Sequence, residues 1–189
     1  MRAPPDISRR LETPRDYDLR LTMIGHRMGS FDPTLRVEDG RVQLASRTPE
    51  GPACLEIEQP SSIVEVRGWG TGAGWLSERL EQLLGFEDEP HFFQPTDGAV
   101  KSLWQQFSGM HLPRLPRVID RIVQIILLQR VPWRDGCAAW KRLVSQLGEK
   151  APGPADLIVP PSSRELASTP YCEMVGCGVP PRQARTIQQ

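Results

Sequence analysis

The densest chemistry in the sequence is cationic. Positions 114–148 hold Arg114, Arg117, Arg121, Arg130, Arg134, Lys141 and Arg142, opposed only by Asp120 and Asp135. That is a local excess of +5 in a chain whose formal net charge is zero. Arg182 and Arg185 add positive charge close to the last residue, Gln189. Such a density suits a phosphodiester backbone, since each phosphate neutralised releases condensed counterions. The competing reading is an ordinary solvated face on two amphipathic helices. Within the run, "LLQRVPWR" puts Gln129 and Arg130 at the break between two apolar-periodic stretches. A guanidinium there can stack on a base as well as meet a phosphate; alternatively, both side chains only solvate a helix end.

The other reactive residue types form no comparable constellation. His26, His91 and His111 are far apart and none sits in a ligand motif. Cys172 and Cys177 share "CEMVGC" without a second pair or a nearby histidine, whereas a zinc site needs CxxC-type pairs plus partners. With Cys54 and Cys137 they read as reduced structural thiols, so no metal and no cofactor is expected. "RGWGTGAGW" is glycine-rich but lacks the GxxxxGK[ST] and GxGxxG spacings, which leaves a strand-to-helix loop. Trp104, Trp133 and Trp140 fall on helical faces shared with aliphatic residues and are expected in the core.

The elements that must position these residues divide into two halves. In "TLRVEDGRVQLAS", Leu35 and Val37 alternate before a Glu38-Asp39-Gly40 turn and Val42 and Leu44 alternate after it; period-two alternation around an Asp-Gly is a strong hairpin signal. Strands are further expected at "ACLEIEQ" and over residues 63–66. Trp75, Leu76, Leu80, Leu83 and Leu84 then share a helical face that Gly85 ends. Acidic "GFEDEP" and "QPTDG" mark a boundary, beyond which only helical patterns follow. Asp97 caps a helix carrying Val100, Leu103, Trp104 and Phe107, and "HLPRLP" breaks it. The stretch over 117–131 is apolar around most of its circumference and is expected to be central and buried. Trp133, Cys137, Trp140, Val144 and Leu147 form the next helix, stopped by Gly148. "EKAPGPADLIVPP" reads as a proline-rich connector, Ser162 and Glu165 as a capping box, and Pro180-Pro181 as a helix entrance.

The fold class is therefore α+β: a small antiparallel sheet with a helix, then an incomplete all-helical domain. The expected organisation is a flexible N-terminus over 1–15, a mixed sheet and helix domain over 16–95, and a helical domain over 96–189. No apolar run approaches the ~20 residues that span a bilayer, and "MRAPPDISRR" lacks the apolar core of a secretory signal. A cytoplasmic monomer with no membrane partner is expected.

The order of these elements and two stretches carry a resemblance. "LPRLPRVIDRIVQIILLQRVPWRDGCAAWKRLVSQLGE" (112–149) resembles the start of the helical domain of helix-hairpin-helix DNA glycosylases, above all the 3-methyladenine DNA glycosylase II type. There a Leu-Pro and an amphipathic helix run into a short turn and a second helix ending in Gly. "YCEMVGCGVPPRQARTI" (171–187) resembles a later segment of that family, with Gly178, Arg182 and Ala184 matching. The resemblance implies repair of double-stranded DNA on the nucleoid, by hydrolysis of the N-glycosidic bond of alkylated bases. It places the base-displacing wedge at Arg130, where the family has an apolar residue, with Gln129 sharing the role, and together with the local positive charge it makes Gln129, Arg130, Arg134, Arg182 and Arg185 the expected DNA contacts. It assigns no catalytic residue, because the family's hairpin and its aspartate would both fall beyond Gln189. The expectation is an N-terminal portion of such an enzyme that does not excise bases by itself. A non-catalytic remnant or weak DNA-binding module is the alternative.

Overall fold

The computed structural model describes residues 4–89, 92–115 and 117–189. Pro90 at the end of the acidic boundary, His91, and Pro116 at the end of the "HLPRLP" break lie outside the described residues.

The first half is a five-stranded antiparallel sheet in the order β1-β5-β4-β3-β2, built from β1 (Ile7–Glu12), β2 (Leu35–Glu38), β3 (Arg41–Thr48), β4 (Gly51–Glu58) and β5 (Ile63–Trp69). The hairpin forms, with Val37 opposite Val42 and with Glu38, expected in the turn, as the last strand residue opposite Arg41. Gly40 takes the left-handed conformation (φ 65°) that this two-residue turn requires. One sheet face buries Val37, Val42, Leu55, Ile57, Val64 and Val66. Against it pack α1 (Leu19–Ile24), α2 (Ala73–Ser77) and α3 (Leu80–Leu83). Asp18 caps α1 by accepting the Leu21 N–H at 2.8 Å.

Three features differ from the sequence expectation. The N-terminal stretch expected to be flexible over 1–15 contains β1, an edge strand paired with β5. Its signal is weak because only Ile7 and Leu11 turn inward, while Arg10 sits opposite Glu65 and pairs with it at 2.6 Å. The helix expected around Trp75 and Leu84 is two short helices. The guanidinium of Arg79 lies over the Trp75 ring (3.9 Å) and donates to the Trp75 carbonyl (2.9 Å), tightening the chain between them. The connector over 149–161 is not bare. It forms the two-stranded β6 (Glu149–Lys150) and β7 (Ile158–Val159), so the second half is not all helical. Ala151, Ala155, Leu157 and Val159 cover Ala45 and Cys54 on the other face of the large sheet.

The remaining elements are α4 (Gly98–Gln106), α5 (Val118–Leu128), α6 (Trp133–Leu147), α7 (Ser163–Ser168), α8 (Tyr171–Gly176) and α9 (Pro181–Ile187). Asp97 caps α4 and the Ser162/Glu165 capping box opens α7, as their spacing predicts. A second core joins Val123, Leu127, Trp140, Leu143, Val144, Leu166, Met174 and Ala184. Helix α5 is only half covered. Val123, Ile126 and Leu127 are buried, whereas Val118, Ile122 and Ile125 stand 69%, 45% and 59% exposed. An apolar circumference measures the potential for burial, and the described chain covers one side of it.

Candidate nucleic-acid interface

The corner between α5 and α6 is tight and conformationally unusual. Gln129 leaves the helix with ψ 121°, Arg130 adopts φ 57°, and Pro132 caps the start of α6. Among the described residues only Asp16 and Arg130 have positive φ without being glycine. An L-residue in that region costs roughly 1–2 kcal/mol, so the backbone must be held there. The grip comes from α9, where Gln183, buried, donates from Nε2 to the Gln129 carbonyl at 2.7 Å. Gln129 and Arg130 themselves are exposed. The corner thus presents a strained backbone, fixed from inside, with a free guanidinium outside.

The structure sorts the cations. Arg114 pairs with Glu87 at 3.0 Å, and Arg117 with Asp120 at 3.2 Å. Arg121 donates to Gln124 Oε1 (2.6 Å) and to the His26 carbonyl (2.9 Å). Arg142 donates to the Cys177 carbonyl at 2.7 Å and lies so close over Gly178 (φ 81°) that a Cβ there would meet its guanidinium at 2.1 Å. Hence Gly178, matched from the sequence, serves packing. The excess of +5 is not one solvated face, because four of its seven cations are engaged within the chain. Arg130 and Arg134 remain exposed without a hydrogen bond or ion pair to the described residues, and Arg182 and Arg185 stand exposed on α9. The Arg185 guanidinium lies 5.5 Å from the Tyr171 ring centre.

Beside the corner runs a solvent-open groove of about 400 Å³ between the loop after α1 and the first turns of α6. Phe31 and Trp133 line it at 77% and 55% exposure, with Arg134, Cys137 and Lys141 between them. Lys141 Nζ is 5.1 Å from the centre of the Phe31 ring. Gly29 (φ 76°) lies against Cys137, where an added Cβ would approach Sγ to 3.1 Å. No acidic side chain lines this groove among the described residues. Burial, reinforced by the Asp32 charge, raises the Cys137 thiol, so it forms a wall rather than a nucleophile. Sequence periodicity misses the groove. Trp133 and Trp140 lie seven apart on one helical face, yet Trp140 is 2% exposed while Trp133, at the first helical position, projects past the core.

The half-buried titratable groups His26, Arg117, Asp120 and Arg121 lie around a small cavity of about 40 Å³, which the buried Gln124 also lines. Burial pushes the Asp120 carboxyl up to about 6 against the pull of Arg117, Arg121 and Arg47. Burial, with help from the Arg121 charge, lowers His26 to about 4. These groups join α5 to the loop after α1. His111 is likewise structural: its backbone N–H donates to Thr22 Oγ1 at 3.2 Å, and its Nδ1 holds the Gly85 carbonyl at 3.1 Å. Cys172 is exposed and Cys177 buried, with Cys177 Sγ donating to Gln146 Oε1 at 2.9 Å.

No protein-family model matches the sequence, and no curated protein matches it. Solved structures do match. A 3-methyladenine DNA-glycosylase from Archaeoglobus fulgidus superimposes with a TM-score of 0.79 at 17% identity, over 95% of this chain and 65% of that one. MBOgg1 in complex with a low-affinity DNA ligand gives 0.72 at 11% identity, over 100% and 63%. The Clostridium acetobutylicum 8-oxoguanine glycosylase/lyase, in complex with double-stranded DNA containing cytosine opposite 8-oxoG, gives 0.68 at 10% identity, over 100% and 62%. The chain spans less than two thirds of the length of each. At these identities the likeness is one of fold alone, shared with those DNA glycosylases over the part of their length that this chain spans.

Proposed function

We propose that this chain is the DNA-engaging portion of a base-excision glycosylase of the 3-methyladenine type, acting on duplex DNA that carries alkylated bases. The observation that carries the reading is the α5–α6 corner, where an exposed Arg130 stands on a backbone forced to φ 57° and braced by Gln183, beside an aromatic groove. A base cannot be attacked inside the duplex. It must be turned out, and the gap it leaves must be filled. Arg130 has the exposure and the fixed base to enter such a gap, and its planar guanidinium can stack on the neighbouring bases. Arg134, Arg182 and Arg185 stand ready to meet phosphates, which orient a protein on the duplex without reading its sequence. Phe31 and Trp133 offer ring faces to an extruded base.

Hydrolysis of the glycosidic bond develops positive charge on the sugar, which a nearby carboxylate stabilises. The groove lacks one among its described lining residues. The chain 1–189 is therefore expected to bind damaged duplex without releasing the base. The fold likeness to the Archaeoglobus fulgidus enzyme favours the alkylated-base class. Work on the nucleoid as a monomer, in the cytoplasm, follows from the same reading.

Two assays on the same protein test this. Chain 1–189 is expected to retain a duplex carrying an abasic-site analogue and to release no 3-methyladenine from methylated DNA. Loss of retention overturns the DNA-engaging role, and release of the base overturns the division between engagement and chemistry.

A further inference from the structure

The loop that carries Phe31 is short and solvent-facing, yet it is fastened at one buried point. Asp32 is 8% exposed, and its carboxylate receives four donors. Oδ2 accepts the Met28 N–H at 2.6 Å. Oδ1 accepts the Thr34 N–H at 2.9 Å, the Thr34 hydroxyl at 2.8 Å and the Trp140 indole N–H at 3.2 Å. Met28 and Thr34 are the two ends of the loop, and the third donor residue, Trp140, belongs to α6. One side chain therefore closes the loop on itself and fixes it to the helix that forms the opposite groove wall. Gly29 supplies the second contact, against Cys137, one turn before Trp140 on the same helix. With Asp32 pinned inward, its neighbour Phe31 is turned outward over Lys141, the residue after Trp140.

We infer that Asp32 is the positioning residue of the groove, holding the loop of residues 28–34 on α6 so that Phe31 faces Trp133 across the space an extruded base would occupy. The inference rests on the proposed function for its ligand, but not for its geometry. The chemistry of the donor set makes it specific. Four N–H and O–H groups converge on two oxygens, and an amide of the same shape offers one oxygen and turns its NH2 toward a donor. At least one buried donor then loses its acceptor, which is unfavourable, so the loop loosens on α6.

Two readouts separate the geometry from the ligand. The first needs no DNA. In chain 1–189 carrying Cys172→Ser, which removes the exposed thiol, the rate of Cys137 alkylation by iodoacetamide reports whether Gly29 still packs against it. Read at the high-pH plateau of the rate, where the thiol is fully ionised and loss of the Asp32 charge beside it no longer contributes, Asp32→Asn is expected to raise alkylation about tenfold or more, the scale of losing one or two buried hydrogen bonds. Trp140→Phe keeps a ring in the core and removes the indole donor, and a smaller increase is expected from it. An unchanged Cys137 rate in both variants overturns the inference, whatever happens with DNA.

The second readout is a binding cycle with a DNA duplex bearing an extrahelical 2-aminopurine, followed by quenching of its fluorescence. Phe31→Ala is expected to weaken binding about tenfold, in line with loss of one stacking face. If Asp32 acts through Phe31, adding Asp32→Asn to Phe31→Ala costs nothing further. Additive losses mean that Asp32 supports the fold generally and overturn its positioning role. Absence of binding by the wild-type protein would instead overturn the proposed function and leave the alkylation result to decide the geometry.

Discussion

The side-chain amide of Gln183 on α9 donates to the main-chain carbonyl of Gln129 across 2.7 Å, one residue before the left-handed Arg130. A segment 54 residues further along the chain thus braces the corner that presents the candidate wedge. Removing that donor leaves a carbonyl poorly matched to its surroundings, at a cost of about 1–2 kcal/mol. Gln183→Ala is expected to lower the urea midpoint accordingly and to weaken binding to abasic duplex more than it weakens binding to intact duplex. Equal weakening of both would detach the brace from the site.

Arg130→Gly separates strain from function. Glycine removes the cost of the left-handed backbone, while its own chain entropy takes back roughly 0.5–1 kcal/mol. The variant should melt at or slightly above the wild-type temperature while its affinity for abasic duplex falls about tenfold. A fall in melting temperature would show that Arg130 serves the fold.

Salt dependence distinguishes the free arginines from the engaged ones. Replacing Arg134, Arg182 or Arg185 by Ala should each reduce the slope of log affinity against log salt concentration by about 1 for every phosphate left without its cation. Arg142→Ala should leave the slope unchanged and destabilise the protein, because its guanidinium caps the Cys177 carbonyl over Gly178. Fluorescence titrations at a series of potassium chloride concentrations measure the slopes, and urea unfolding measures the stability.

Asp120 and His26 should oppose each other in acid. The folded-state carboxyl of Asp120 is raised to about 6, so the folded protein binds more protons than the unfolded chain between about 4 and 6. Its contribution to stability therefore falls as pH rises through that window. His26, lowered to about 4, makes the folded protein bind fewer protons up to about 6.5, and its contribution rises with pH. Relative to wild type, Asp120→Asn should gain stability as pH climbs from 4 to 6, and His26→Gln should lose it. Urea unfolding across that range gives both differences, and a pH-independent difference for either variant would contradict the assignment of that group.

Much of the fold is legible in the sequence because it rests on local rules. The Asp39-Gly40 hairpin, the Asp97 cap, the Ser162/Glu165 box and the Gly148 stop each follow from a few neighbouring residues. What escapes depends on distant partners. β1 has two inward side chains and exists because β5 offers an edge. Residues 149–159 look like linker until the second face of the sheet is seen to need cover. The site divides in the same way. Gln129 and Arg130 are marked by a break in periodicity, whereas Phe31 carries no signal, since its position depends on Asp32 meeting Trp140 across 108 residues. A count of arginines does not tell the four that close internal contacts from those left outside.

The role of Arg130 as a wedge is tested by the affinity of chain 1–189 for two duplexes that differ only in one tetrahydrofuran abasic site. An abasic site has no base to unstack, which spares a few kcal/mol, and leaves a gap for the wedge. Wild-type protein is expected to prefer the abasic duplex about tenfold or more, and Arg130→Ala to lose the preference while retaining binding. Equal affinity for the two duplexes, or a preference that survives Arg130→Ala, would contradict that role.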